Sequence, residues 1–385
     1  MASGFAGGFG QRGDDPNLEF SGAHDEQIDS HYLCGLWKNR LLSLDRRRRG
    51  ECLAGIFLDP RGKIPPKNHE RRKAGGGGNA IAPMERPNPL AFYRRMLKSD
   101  EYYSDELINI YVLRPIAAAI VWLLYPTRVT PNHVTLAAIL IGMVSAYAYA
   151  LNTTASIAIG GILIVLKDIL DDADGQLARA KELYSRRGRF LDSVGDFVVN
   201  LAVFAAMTWA VYRIHSNRLT ITLGVLSLLG ITLRVSYHVF YQVAFLHLRD
   251  TYKLNRITEE ITEEDRRGDP VALWLQRIFL LIYGWQDRFI ARIDRWCMGE
   301  NFDETHLPLW YSDRFGLRLS GLLGFGTEFM LLAVCSWFRQ LDGYLLLNVF
   351  GMNGICLLCI LYRRHILAKN LSKDERRSSE TNDHV

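Results

Sequence analysis

Cysteine is scarce and scattered in this chain: six in 385 residues, at 34, 52, 297, 335, 356 and 359. That pattern gives no framework for a disulfide-stapled secreted fold. Cys356 and Cys359 form a C-x-x-C pair, but it lies inside an apolar run, where free cysteine packs as a small hydrophobe. Proline is rare, at 12, and hydrophobic residues reach 49%. This composition excludes a collagen-like repeat and a chain disordered throughout. Residues 1–83 have no apolar run of the kind a signal peptide needs. Polar stretches, in turn, are nearly missing from 133–246 and 315–362. The mean hydropathy of −0.01 would suit a soluble protein, but it averages those runs with a polar, Arg-studded first 104 residues.

A helix needs about 20 mostly apolar residues to cross about 30 Å of hydrocarbon. Five runs satisfy this: 133–151, 190–212, 219–246, 315–338 and 344–362. A sixth, 154–169, is apolar until Lys167 and Asp168. A soluble helical core would show polar faces at helical spacing, and these runs lack them. The reading is an all-α, polytopic membrane protein with six transmembrane helices. Two amphipathic stretches, 108–125 and 271–296, read as interfacial helices. The second sets Val271, Trp274, Ile278, Leu281, Trp285, Phe289, Ile293 and Trp296 at steps of three or four, with Arg277, Arg288, Arg292 and Arg295 off that stripe. A crossing by 271–285 is the competing topology.

Orientation follows from Lys and Arg in the connections. The first turn, Asn152 and Thr153, has none; the third-to-fourth turn carries Arg213 and Arg218, and the fifth-to-sixth carries Arg339. The other side holds Lys181, Arg186, Arg187, Arg189, the Arg249 to Arg314 loop, Arg363, Arg364 and Lys369. Both termini are therefore expected in the cytoplasm. The chain divides into a basic, disordered N-terminal region (1–104) and an interfacial helix with linker (105–130). A core of four spans (131–246) and a cytoplasmic or interfacial insert (247–314) follow, then two further spans (315–362) and a tail (363–385). Residues 1–83 hold basic runs followed by Gly75–Gly78, and read as dispensable or as lying upstream of a start at Met84.

The informative stretch is 167–200. Asp171, Asp174, Gly175 and Ala178 fall at i, i+3, i+4 and i+7, one face of a helix, and Gly188, Asp192 and Asp196 are four apart on the next. Four carboxylates converging at a membrane boundary repel one another, and divalent cations remove that repulsion. Oxygen donors with no neighbouring His or Cys select Mg²⁺, Mn²⁺ or Ca²⁺. Two such ions form the clamp used for in-line displacement at phosphorus. Arg179 can balance a phosphate charge, and Gly175 and Gly188 leave space for a ligand. Asp168 and Asp172 read as acids that end a helix, with Lys167 pairing Asp171 or solvating the helix end.

Asp171-x2-Asp174-Gly175-x2-Ala178-Arg179-x8-Gly188-x3-Asp192-x3-Asp196 resembles the CDP-alcohol phosphotransferase signature at every fixed position, and Val129–Thr135 resembles the segment before its first span. The resemblance implies six spans, a preceding helix along the membrane, a homodimer and a cytoplasm-facing cavity. It implies that Asp171, Asp174 and Asp192, with Asp196, surround a two-metal site holding Mg²⁺ or Mn²⁺, and that Asp196 is the general base. Gly175, Ala178, Arg179 and Gly188 would line the nucleotide-diphosphate site together with Asp171, and Asn132 and Thr135 would lie near the cytidine.

The expected activity is transfer of the phosphatidyl group of CDP-diacylglycerol to a small polar alcohol, with loss of CMP, at the inner or cell membrane. The alternatives are a CDP-choline or CDP-ethanolamine enzyme with diacylglycerol as acceptor, and a cation transporter. Nucleic acid is not an expected partner. Arg234 lies deep in the fourth span. It reads either as half of an ion pair with Glu328 or as the acceptor-phosphate ligand, joined by Arg314 and Arg318.

Overall fold

A computed structural model describes residues 104–248, 259, 261–300 and 302–371. The expectations for 1–103 and 372–385, including Cys34, Cys52 and the basic runs, lie outside the described residues. Among the described residues every regular element is helical. The helices are α1 (Asn109–Leu124, opening with a π-helical turn), α2 (Pro131–Leu151), α3 (Thr154–Lys181), α4 (Arg186–His215) and α5 (Arg218–Leu248). Then come the short α6 (Glu263–Arg267), the long α7 (Pro270–Met298), α8 (Leu307–Ser312) and α9 (Arg314–Ser320). The chain closes with α10 (Phe325–Trp337) and α11 (Leu341–Leu371).

Local chemistry sets the boundaries. Thr153 and Ser156 form a capping box that starts α3, and the Ser185 hydroxyl accepts the Gly188 N–H at 2.8 Å to start α4. Asn152 and Glu182, both at φ 56°, end α2 and α3 in the left-handed region. The polar caps therefore start α4 four residues before its apolar run begins.

Four helices, α2, α4, α5 and α11, are long and apolar enough to cross a membrane. The pair Arg314–Leu323 and Phe325–Trp337, bent by 42°, gives a fifth if taken as one span. The expected sixth, α3, has the length, but from its midpoint on it carries Lys167 and the acids. A core of Tyr149, Ile157, Ile164, Val199, Val203, Phe204, Met207, Ile231, Phe329, Leu332 and Tyr344 joins α2 through α5 with α10 and α11. On the other flank of α3, α1 buries Leu113, Ala117, Ala118 and Val121.

The bend before α10 has a distant cause. Its N-cap is Gly324, which has no side chain to cap with. Glu106, ahead of α1, supplies the carboxylate instead and accepts the N–H groups of Gly326 at 3.3 Å and Thr327 at 2.8 Å. A Cβ at Gly324 would collide with that side chain, at 1.9 Å from Glu106 Oε1. Asp105, beside it, pairs with Arg114, which accounts for a charge inside an apolar helix.

α7 has a packed face beyond the stripe that its sequence announces. The aromatic stripe is there, with Trp274, Leu281, Trp285 and Trp296 exposed, but it is not the packed face. Leu275, Phe279, Tyr283, Gln286, Ile290, Asp294 and Cys297 are buried instead. A 29-residue helix has room for three faces, and a two-face reading merges two of them. The contacts run in order along its length. Phe279 meets Phe190, and the Tyr283 hydroxyl donates to the Ser193 carbonyl at 2.9 Å, both on α4. Next, the Ser236 hydroxyl donates to Gln286 at 2.6 Å and that of Tyr241 to Asp294 at 2.7 Å, both from α5. Finally Arg364 of α11 lies over Trp296 at 3.7 Å. α7 thus meets α4, α5 and α11 in turn along its length.

Candidate active site

The acids of α3 and α4 meet where the two helices approach their shared connection. Ligand atoms of Asp171, Asp192 and Asp196 all lie within 4.8 Å of one another. Asp192 Oδ1 is buried without a hydrogen-bond donor. A buried, undonated carboxylate oxygen inside a set of hard oxygen donors fits a divalent cation. The fit extends to Asp171 and Asp196 through their common separation.

Asp174 is set differently. It is buried one turn along α3, and the Thr135 hydroxyl of α2 donates to its Oδ2. Asp174 therefore stands outside the tight triad, and Thr135, expected near a cytidine, holds an acid. Asn132 sits against Gly188: a Cβ there would fall 2.5 Å from Asn132 Oδ1. A side chain at 188 would displace the Asn132 amide, so these two residues expected at the nucleotide site lie side by side. Gly175 is the reverse case. Only Arg179 Nη1, at 3.5 Å, approaches a Cβ built there. No packing contact demands glycine at 175, and the space beside Asp174 stays open. Ala178 and Arg179 are half-buried on the same helix.

Lys167 is the site residue that sequence reasoning missed. It is 1% exposed, and its ammonium donates to Asp196 Oδ1 and lies 3.8 Å from Asp171 Oδ1. The pairing with Asp171 was readable from the i, i+4 spacing; the bond to Asp196 crosses between helices and had no sequence signal.

The Arg234 question resolves to the ion pair. Its Nη2 donates to Glu328 Oε2 at 3.0 Å, and its Nη1 to Asn353 Oδ1 at 2.7 Å and to the Asn348 carbonyl at 3.1 Å. Glu328 also accepts Tyr344 Oη at 2.8 Å and Asn348 Nδ2. The π-helical stretch Leu347–Met352 includes the carbonyl that turns to Arg234. Both terminal nitrogens of Arg234 are thus engaged within the protein. Arg314 and Arg318 lie on α9, exposed and half-buried respectively.

Glu259, Asp265 and Asp269 face the arginines at the start of α4. Arg186 pairs with Asp265 and Glu259, Arg187 with Asp269, and Arg189 with Glu259 at 2.8 Å. The carboxyl of Asp265 is held down at about 2: partial burial opposes this, but donors from Thr262, Arg186 and Gln276 outweigh it. A cavity of about 460 Å³ lies between Arg186, Arg187 and Phe190 on one side and Asp265, Asp269 and Gln276 on the other.

The site is thus a triad of acids, contributed by α3 and α4, in an all-helical frame whose carboxylates could hold a metal ion. Residues 128–296 match the family model of the CDP-alcohol phosphatidyltransferases, and this part of the chain is a domain of that enzyme family. A "Bifunctional IPC transferase and DIPP synthase" of Thermococcus kodakarensis is 32% identical over 173 residues, covering 44% of this chain and 38% of that protein. Proteins with the same name from Aquifex aeolicus and Archaeoglobus fulgidus are 40% identical over 80 residues and 35% over 107, covering 18% and 20% of their lengths. The chain thus matches less than two fifths of each relative's own length.

Proposed function

We propose that this chain transfers the phosphatidyl group of CDP-diacylglycerol to a small polar alcohol, such as inositol phosphate or glycerol phosphate, with release of CMP. The observation that carries this reading is the convergence of Asp171, Asp192 and Asp196 from two helices within a family domain. Mg²⁺ or Mn²⁺, when bound by these carboxylates with Asp174 alongside, would neutralise the donor diphosphate and the charge left on CMP. The open space at Gly175 admits the diphosphate, and Arg179 offers it a guanidinium. Asn132, Thr135, Ala178 and Gly188 shape the nucleotide end.

The Asp196 carboxylate takes the acceptor's hydroxyl proton as that oxygen attacks the phosphorus bearing diacylglycerol. The bond from that phosphorus to the bridging oxygen breaks, and CMP leaves with the electron pair. Two helices, rather than a loop, hold the acids, so the reacting groups need little rearrangement.

In the bilayer, α2, α3, α4, α5, the α9–α10 pair and α11 make the six crossings, and α1 and α7 lie in the interface. The exposed tryptophans of α7 and the exposed Arg277, Arg288, Arg292 and Arg295 support this. The distribution of Lys and Arg supports a cytoplasmic site and cytoplasmic termini in the cell membrane. The family resemblance supports a homodimer.

Asp196→Asn keeps the shape but cannot accept the proton. Turnover should fall by about 100-fold or more, while affinity for the donor changes little. An equal loss of donor affinity would mean that Asp196 acts chiefly as a metal ligand, and the base assignment would be wrong.

A further inference from the structure

The polar floor of the acid cluster is made by a lysine. Lys167 lies one helical turn further from the α3 terminus than Asp171, and the Phe329 ring of α10 is 5.9 Å from its ammonium. Its charge reaches both helices of the site, through Asp196 on α4 and Asp171 on α3. The Asp196 carboxylate that Lys167 engages is also one of the triad that a divalent ion would use. A fixed cation and a diffusible one therefore share the same carboxylate.

We propose that Lys167 is a built-in counter-ion of the carboxylate cluster: it holds Asp196 and Asp171 together in the metal-free protein and weakens divalent-metal binding until the donor diphosphate arrives. The inference rests on the metal-site reading above and concerns this chain's own charge balance. Four carboxylates and one lysine leave three negative charges. Two divalent ions would overshoot these by one positive charge, which a bound diphosphate offsets. Without the lysine, four carboxylates balance two ions with no donor present. Lys167 is thus a positioning residue that makes full metal loading depend on substrate.

The test compares wild type with Lys167→Met, which keeps the length and removes the charge. Mn²⁺ binding is measured by titration on purified protein without donor, together with thermal unfolding with and without Mn²⁺. Lys167→Met should bind Mn²⁺ about tenfold tighter or more, melt earlier than wild type when metal-free and recover when Mn²⁺ is added. Unchanged or weaker Mn²⁺ binding by a folded variant would overturn the proposal. So would a variant that stays unfolded even with Mn²⁺, since a metal would then not replace the lysine charge. Wild type that binds no Mn²⁺ at all would instead overturn the metal-site reading, which separates the two failures.

Discussion

Asp171→Asn, Asp174→Asn and Asp192→Asn should each reduce CMP release by about two orders of magnitude or more, with the protein still folded. The substitution keeps volume and one acceptor oxygen but removes a charge from a set of acids that gathers in one place. Asp192 should be the most sensitive of the triad, because its Oδ1 has no donor in the protein and is the oxygen most in need of a cation. Asp174 tests a different point. Its Oδ2 is engaged by Thr135, so Thr135→Val should reproduce part of the Asp174→Asn loss by releasing that carboxylate from its set position. A chelator should abolish activity, and added Mg²⁺ or Mn²⁺ should restore it. Retained activity in both the variants and the chelated enzyme would remove the metal-based reading.

The second large effect is on stability rather than rate. Arg234 and Glu328 are 1% and 0% exposed, with no water to receive either charge once its partner is gone. Glu328→Leu should destabilise the protein by about 3–5 kcal/mol, read from thermal unfolding in detergent. Adding Arg234→Leu should recover most of that loss, since an apolar pair of similar size costs far less than one stranded charge. Donor and acceptor Michaelis constants should stay close to wild type in whatever fraction remains folded. A raised acceptor constant in Arg234→Gln at unchanged stability would return Arg234 to the acceptor site and contradict the structural role.

The sequence made the acid cluster legible because helical spacing is a local rule. Asp171 and Asp174 at i, i+3, with Asp192 and Asp196 at i, i+4, place their side chains on shared faces whatever surrounds them. Span positions were legible for a similar reason: apolar run length is a local property. Helix starts were less so, because α4 begins at the Ser185 cap and not where its apolar run begins. The features that escaped all depend on distant partners. The Glu106 cap on α10 joins residues 220 apart in the chain, and the Lys167 bond to Asp196 crosses between two helices. Asn132 against Gly188 is likewise a contact between α2 and α4 that no local spacing announces. On α7 the aromatic stripe was visible, but the buried face was hidden by its mixed composition: Gln286 and Asp294 belong to it because Ser236 and the tyrosines of α5 and α8 satisfy them.

The most direct test is CMP release by the purified protein given CDP-diacylglycerol, Mg²⁺ or Mn²⁺, and a panel of alcohols that includes inositol phosphate and glycerol phosphate. One CMP should form for each phospholipid made, only with a divalent metal and only with an acceptor. No CMP from CDP-diacylglycerol with any acceptor, alongside CMP from CDP-choline or CDP-ethanolamine with diacylglycerol, would contradict the proposed direction of transfer. No CMP from either donor would contradict the phosphotransferase account itself.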